Sequence, residues 1–518
     1  MFDVMGGARM SSLNPTERRL VIVSNRLPVV LTKASSNHWR AEPADGGLVN
    51  ALAPVLHERG GVWIGWPGTV VDAGIALDQA LAEATHDLGY GFVPVMLSAN
   101  ERDKFYLGFS NEIIWPLFHD LPSRCNFDPS YWAVYESVNR KFAFAVAETA
   151  QATDYIWVQD YHLMSVAPEL RAAGIRAPIG FFLHIPFPAP DIFLKLPWRD
   201  QVLEALLAYD LIGFQTARDL QNFVQCVQKL FPNNELQHHD RFALVHVGER
   251  TVRVGCFPIG IDARMIAQQV ASADNVQRAQ HIRARLPELK LILGVDRLDY
   301  TKGIPERLEA FRNLLTRHPE LHEQVVLTQI VIPSRTAIRE YHALKVRVER
   351  LVSEINGHFT RAGWVPIHYI NRRLDWEQLL AYYHTADIAL VTPLKDGMNL
   401  VAKEYCVAGP EDGVLILSEF AGAAAQLQHD ALLVNPYHVE AIADAIYHAW
   451  TMHTEERSLA MQRLRHTTRE HDIFWWVDTF LNAGQTAQYD HSLRLDNGGW
   501  TPQMRQFLQA QKKTPEII

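Results

Sequence analysis

Residues able to hold phosphate and hydroxyl groups gather in two short segments. The first is Thr392-Pro-Leu-Lys-Asp-Gly-Met-Asn-Leu-Val-Ala-Lys-Glu404. An apolar run ends at Thr392, Asp396-Gly397 makes a turn, and a helix starts near Asn399. The first N–H groups of a helix have no partner in its own ladder, so those near Leu400 and Val401 form a natural anion site. Glu404 lies one turn further, where its carboxylate can accept both hydroxyls of a ribose diol; Asp396 can accept from sugar hydroxyls. Taken alone, the segment also reads as a capped helix with surface carboxylates. The second segment is Val295-Asp-Arg-Leu-Asp-Tyr-Thr-Lys-Gly303. Its Arg297 and Lys302 follow a strand pattern directly, and two cations there can neutralise a departing diphosphate. The plainer alternative is a pair of solvated surface charges.

Further candidates also sit where strand patterns end. Leu20–Ser24 leads into Asn25-Arg26-Leu27-Pro28, and Asp45-Gly46-Gly47 then opens a helix. Paired glycines let backbone N–H groups approach a ligand, although a flexible hinge explains Gly46 and Gly47 equally well. Asp160 and His184 close two strand patterns, and Pro186 and Pro188 stiffen the loop after His184. In Phe105-Tyr-Leu-Gly-Phe-Ser-Asn-Glu-Ile-Ile-Trp115, Phe105 and Phe109 read as helix core. Tyr106 and Trp115 are free to stack on sugar rings. Arg335, in Pro333-Ser-Arg335, is another anion ligand placed after a strand. The sequence contains no G-x-G-x-x-G, which weighs against a dinucleotide oxidoreductase. It lacks a D-x-D pair and metal-ligand spacing, so no metal and no other cofactor is expected.

The elements that must position these residues alternate between strand and helix. Apolar runs at Leu20–Ser24, Val62–Ile64, Phe92–Met96, Tyr155–Val158, Ile179–His184 and Leu211–Phe214 read as strands of a first half. Those at Leu291–Val295, Val325–Ile332, Ile367–Ile370, Ile388–Thr392, Val414–Ser418 and Leu432–Asn435 read as strands of a second. Continuous rather than alternating apolar runs suit parallel strands buried on both faces. Helical spacing of Val439, Ile442, Ala443, Ile446, Tyr447 and Trp450 marks one intervening helix, and Pro305 opens another. Val252–Cys256 ends in Pro-Ile-Gly-Ile-Asp262, before what reads as one long polar helix. The prediction is an α/β chain of two Rossmann-like, doubly wound domains with the active site in the cleft between them. The first spans residues 1–260. The second spans 261–484, with its last helix packing back on the first. Residues 485–518 form a polar, Gln-rich tail.

Length and composition fit this division. The chain has 518 residues, more than one core supports. Its formal charge of −9 gives no basic excess for nucleic acid. No apolar run approaches a membrane span, and the first residues lack a signal-peptide pattern, with either Met1 or Met10 as the start. Cys125, Cys226, Cys256 and Cys406 read as reduced thiols of a cytoplasmic protein. A homo-oligomer is compatible with the sequence.

Taken together, the motifs resemble those of the trehalose-6-phosphate synthase family, retaining glycosyltransferases of the GT-B fold. The resemblance runs from about Arg19 to Gly484. It rests on Val23-Ser-Asn-Arg26, Asp45-Gly-Gly47, Gly65-Trp-Pro-Gly68, Phe109-Ser-Asn111 with Trp115, and Trp157-Val-Gln-Asp-Tyr-His-Leu163. It also rests on Gly180-Phe-Phe-Leu-His-Ile-Pro-Phe-Pro188, Asp296-Arg-Leu-Asp-Tyr-Thr-Lys-Gly303 and Asp396-Gly-Met-Asn-Leu-Val-Ala-Lys-Glu404. It implies that Gly46, Gly47, Arg297, Lys302, Leu374, Asp396, Asn399, Leu400, Val401 and Glu404 hold the donor, UDP-glucose, a co-substrate rather than a cofactor. Leu374 would meet the uracil through its backbone. Arg26, Tyr106, Trp115, Asp160 and Arg335 would hold glucose-6-phosphate, with Arg26 and Arg335 on its phosphate. Asp160, His184, Arg297 and Lys302 would serve catalysis. The resemblance further implies transfer on the donor's front face, where the leaving phosphate helps deprotonate the acceptor. That agrees with the lack of a carboxylate nucleophile pair in the sequence. Two departures stand out. The family often has His-Asp-Tyr-His where this chain has Gln159-Asp-Tyr-His162. It often has Leu-Arg-Asp-Gly where this chain has Leu394-Lys-Asp-Gly397, and a lysine keeps the charge but not the bidentate fork. Rival readings are transfer to glycerol-3-phosphate and a non-catalytic sugar-phosphate sensor.

Overall fold

The continuous apolar runs become the buried strands of two sheets. A computed structural model describes residues 18–35, 38–43, 47–70, 81, 89–239, 242–335 and 338–484. In chain order the first-half strands are β1 (Leu20–Arg26), β2 (Val29–Ser35), β3 (His38–Pro43), β4 (Val62–Trp66), β5 (Gly91–Pro94), β6 (Tyr155–Gln159), β7 (Ile179–Phe182), β8 (Leu211–Phe214), β9 (Leu236–His238), β10 (Phe242–Val247) and β11 (Arg250–Cys256). Those of the second half are β12 (Lys290–Arg297), β13 (Val325–Ile332), β14 (Ile367–Ile370), β15 (Ile388–Val391), β16 (Val414–Ser418) and β17 (Leu432–Val434). Among the described residues, one sheet runs β5-β4-β1-β6-β7-β8-β11-β10-β9 and the other β14-β13-β12-β15-β16-β17. The second is parallel throughout, and the first is parallel except where β9 and β10 join antiparallel.

The strand order reverses beside β1 and beside β12. In β1, Ile22 stands opposite Trp63 of β4 on one side and Trp157 of β6 on the other. β12 lies between β13 and β15 in the same way. Ligands of open α/β sheets bind beyond the strand ends at such a reversal. Each of these strands ends in an arginine, Arg26 for β1 and Arg297 for β12.

Three details differ from the sequence reading. Strands β9 and β10 and the hairpin of β2 and β3 have no counterpart in it. The helix expected after Asp262 is two helices, Ala263–Val270 and Ala273–Ala284, because Ser272 caps the second by accepting from the Asn275 N–H. Several strand ends move by one or two residues, as at β5 and β7.

Chain ends and linker tie the two halves together. Helix Ile473–Ala483 lies on the first sheet, with Trp476 and Phe480 at 4.9 and 4.5 Å from Trp157, ring centre to ring centre. The Trp476 Nε1–H donates to the Phe257 carbonyl at 3.1 Å, and the Ile473 N–H donates to Ile261 at 3.1 Å. None of the four cysteines is in a disulfide. Among the described residues no helix is long and apolar enough to cross a membrane. Gly46, both candidate starts and the 485–518 tail lie outside the described residues.

Candidate active site

On the second sheet, the turn after β15 folds around Asp396. Its carboxylate meets the Lys302 ammonium at 2.5 Å, takes the Asn399 amide at 3.2 Å, and accepts the Met398 N–H at 3.3 Å. Burial opposes ionisation here, but Lys302 outweighs it and holds the Asp396 carboxyl below its ordinary range. Asn399 is the N-cap of helix Leu400–Ala408, with φ 72° and its Oδ1 accepting from the Ala402 N–H at 3.1 Å. Ala402 is thus satisfied, which leaves the Leu400 and Val401 N–H groups at the helix mouth to meet an anion. One turn on, Glu404 accepts the Tyr383 hydroxyl at 2.8 Å, and burial raises its carboxyl to about 7. Gly397 must be a glycine, because a Cβ there would overlap the His184 carbonyl of the first half.

Arg297 is exposed at the end of β12 and lies 5.9 Å from the Trp115 ring. The loop behind it is locked. Asp296 pairs with the fully buried Arg307, while Asp299 takes the Thr301 N–H and hydroxyl at 3.0 Å each. Asp299 also binds Arg335 at 3.2 Å and the Tyr341 hydroxyl at 3.0 Å. This network aims Arg335, just beyond β13, toward the first half, where its guanidinium covers Trp115 at 4.1 Å and donates to the Tyr161 hydroxyl at 3.3 Å.

The facing wall comes from a helix wound more widely than usual. Over Arg102–Ile114 the hydrogen bonds run from i to i+5, and the Trp115 N–H continues the series by donating to Ser110. In a regular helix, nine positions are about two and a half turns, so Tyr106 and Trp115 would face opposite ways. The wider winding makes nine positions about two turns and brings them to one side. Tyr106 meets Trp66 edge to face at 5.9 Å, and Trp66 in turn lies under the Arg26 guanidinium at 4.7 Å. Gly68, with φ 85°, lets its loop close over Arg26, where any Cβ would strike the guanidinium.

Asp160 and His184 lie between these walls. Asp160 has φ 73° and accepts the His184 N–H at 3.2 Å. Burial, opposed by backbone hydrogen bonds and by Arg335 and Arg297, raises its carboxyl to about 7. The His184 Nε2–H donates to the Gln159 Oε1 at 2.8 Å, and Nδ1 accepts from the Gln215 amide at 3.3 Å; burial lowers the ring to about 3, so it is neutral. Left-handed backbone at Asp160, Arg335 and Asn399 concentrates strain in this site.

The fold therefore brings together Arg26, Tyr106, Trp115, Asp160, His184, Arg297, Lys302, Arg335, Asp396, Asn399, Leu400 and Val401 around one cleft. Glu404 sits deeper, on Tyr383, and Leu374 is buried just before helix Trp376–Thr385. Gly47 starts helix Gly47–Arg59. As site residues, Asp299, Tyr341, Trp66 and Gln215 escaped the sequence reading. Asp299 had a visible signal, a carboxylate between Arg297 and Lys302; the others depend on distant partners. Lys395 pairs with Asp120 across the two halves. Among the described residues no cluster of three or more His, Cys, Asp or Glu could hold a metal ion.

Comparison with known proteins agrees with this geometry. The sequence model of glycosyltransferase family 20 matches residues 18–485. A trehalose-6-phosphate synthase of Mycolicibacterium vanbaalenii is 43% identical over 470 residues, covering 89% of this chain and 95% of the relative. The crystal structure of an alpha,alpha-trehalose-phosphate synthase (UDP-forming) from Burkholderia xenovorans in complex with glucose-6-phosphate superposes with a TM-score of 0.81 at 35% identity, covering 90% of this chain and 100% of that one. An E. coli structure bound with UDP-2-fluoro glucose superposes with a TM-score of 0.79 at 36% identity, covering 90% and 99%.

Proposed function

The chain belongs to glycosyltransferase family 20, and from that we propose that it transfers glucose from UDP-glucose to glucose-6-phosphate, giving trehalose-6-phosphate and UDP with retention at the anomeric carbon. It has the GT-B fold. The acceptor half is residues 1–260 and the donor half 261–484. Arg297, Lys302, Asp396, Asn399 and the Leu400–Glu404 helix start hold the donor, with Glu404 on the ribose and Leu374 beside the base. Gly46 and Gly47 belong to the donor's ligands. Arg26 and Arg335 hold the acceptor's phosphate, and Tyr106, Trp115 and Asp160 hold its sugar.

One observation supports this reading: the Arg297 and Arg335 guanidiniums both lie over the Trp115 ring, at 5.9 and 4.1 Å, while Arg26 lies over Trp66 of the same half as Trp115. A departing diphosphate and a sugar phosphate each find cations there. The neighbouring carboxylates are committed elsewhere: Asp396 to Lys302, Asp299 to Arg335, and Asp296 to Arg307. Asp160 is then left without the second carboxyl of a double displacement. That agrees with the front-face transfer the family resemblance implies, with Arg297, Lys302 and the helix mouth taking up the charge of the leaving diphosphate and one of its oxygens receiving the acceptor's proton. His184, neutral and held on both nitrogens, fixes the Asp160 loop against the reacting sugars. The enzyme acts on small molecules in the cytoplasm, without metal.

Incubation with UDP-glucose and glucose-6-phosphate tests the proposal by measuring UDP and trehalose-6-phosphate. ADP- and GDP-glucose run as donor controls and glycerol-3-phosphate as the acceptor control. Turnover of glycerol-3-phosphate in place of the hexose phosphate, or no turnover at all, would overturn it.

A further inference from the structure

His162 is 8% exposed, and among the described residues neither of its ring nitrogens has a hydrogen-bond partner. Buried polar atoms are nearly always paired, so such an orphan calls for a partner that arrives later. Its surroundings indicate which one. The ring stacks on Tyr106 at 5.9 Å and 15°, and lies 3.9 Å from Tyr161. Tyr106 leads through Trp66 to Arg26, and Tyr161 binds Arg335. His162 is thus the middle of an aromatic arc with an arginine at each end.

We propose that His162 is a third ligand of the acceptor's phosphate, donating to it between Arg26 and Arg335, and so a residue that makes the pocket prefer a phosphorylated sugar to the free one. The inference rests on the reading of this pocket as the glucose-6-phosphate site. The groups facing His162 are Arg335 and Arg26 as charges and Tyr106, Tyr161 and Phe105 as rings, while the Asn139 amide takes only its carbonyl. Among the described residues no carboxylate pairs with the ring, unlike the usual structural histidine. Burial first, then both arginines, hold the empty ring well below its ordinary range, so it is neutral with one N–H to give. An incoming phosphate dianion offsets the two guanidinium charges and supplies the missing acceptor.

The test compares His162→Phe, which keeps the stack on Tyr106 but removes both nitrogens, with His162→Gln, which keeps a donor. With His162→Phe, KM for glucose-6-phosphate should rise about 10- to 100-fold, the scale of one hydrogen bond to a charged group. KM for UDP-glucose and the inhibition constant of free glucose should stay near wild type, and His162→Gln should recover most of the loss. An unchanged KM for glucose-6-phosphate, or an equal loss toward glucose, would overturn the assignment. Wild-type protein that fails to turn over glucose-6-phosphate would instead remove the functional reading itself, a separate and recognisable result.

Discussion

Arg297 and Lys302 lie five residues apart, yet the structure gives them different tasks. Lys302 already neutralises Asp396, whereas Arg297 is exposed beside Trp115 with no ion pair among the described residues. Charge developing on a leaving diphosphate therefore falls chiefly to Arg297. Arg297→Ala should lower kcat by about 10²–10³, the scale for removing one charge-stabilising donor, and leave KM for the acceptor nearly unchanged. Near-normal kcat with an unaltered melting temperature would remove that role. Glu404 makes a second prediction. Its carboxyl, raised to about 7 by burial, must be ionised to accept a ribose diol. Donor affinity should then weaken as pH falls through 7, by about tenfold from pH 8 to 6 if only the carboxylate binds. Glu404→Gln should flatten the profile of KM for UDP-glucose; a profile unchanged by the substitution would exclude Glu404 as its source. Arg297 and Lys302 were legible because they follow a strand pattern, and Glu404 because it lies one turn into the helix that opens after the next turn. The pairing of Asp299 with Arg335 and Tyr341 was not, since these residues meet across 36 and 42 positions.

At the scale of elements, visibility in the sequence followed burial. The central strands β1, β6, β12 and β13 are apolar on both faces and stand out, as does the helix Val439–Thr451 with its single stripe. The peripheral strands β9 and β10 are partly exposed and mix polar with apolar residues, so they passed as loop. The wide winding of Arg102–Ile114 leaves no pattern of its own, because spacing alone does not say which ladder the backbone adopts. Its support is tertiary. Gly108 lies against the Tyr131 ring of helix Pro129–Thr149, and a Cβ there would enter that ring. Gly108→Ala should therefore push the two helices apart, with a cost of about 1–3 kcal/mol from overpacking. Because Tyr106 and Trp115 ride on this segment, KM for glucose-6-phosphate should rise while KM for UDP-glucose holds. Thermal denaturation with acceptor and donor titrations would check this, and equal changes in both constants would argue against a separate acceptor wall.

Across the whole molecule, the chain passes between the halves twice, first through the 258–262 linker and again before helix Ile473–Ala483. The linker is held from both sides: Gln215 Oε1 accepts the Ile259 N–H at 2.9 Å, and Lys403 Nζ donates to the Ile259 carbonyl at 2.5 Å. The same Gln215 reaches His184, so the His184 loop of the first half and the helix Leu400–Ala408 of the second are tied to one linker residue, Ile259. Trp476, fully buried against Trp157 and Phe182, anchors the second passage. Trp476→Ala should cost about 3–5 kcal/mol, seen as a lower denaturation midpoint, with the first half losing its structure earlier. A midpoint equal to wild type would contradict the anchoring role. The returning helix also sets a timetable for biosynthesis. Trp157 and Phe182 emerge from the ribosome roughly 300 residues before their cover does, which at about 5–20 residues per second is on the order of tens of seconds. Through that interval the nascent first half presents an uncovered aromatic face, the kind of surface chaperones bind. An N-terminal half made alone would keep that face for good, so the two halves of this enzyme are a poor choice for separate expression, however cleanly the linker divides them.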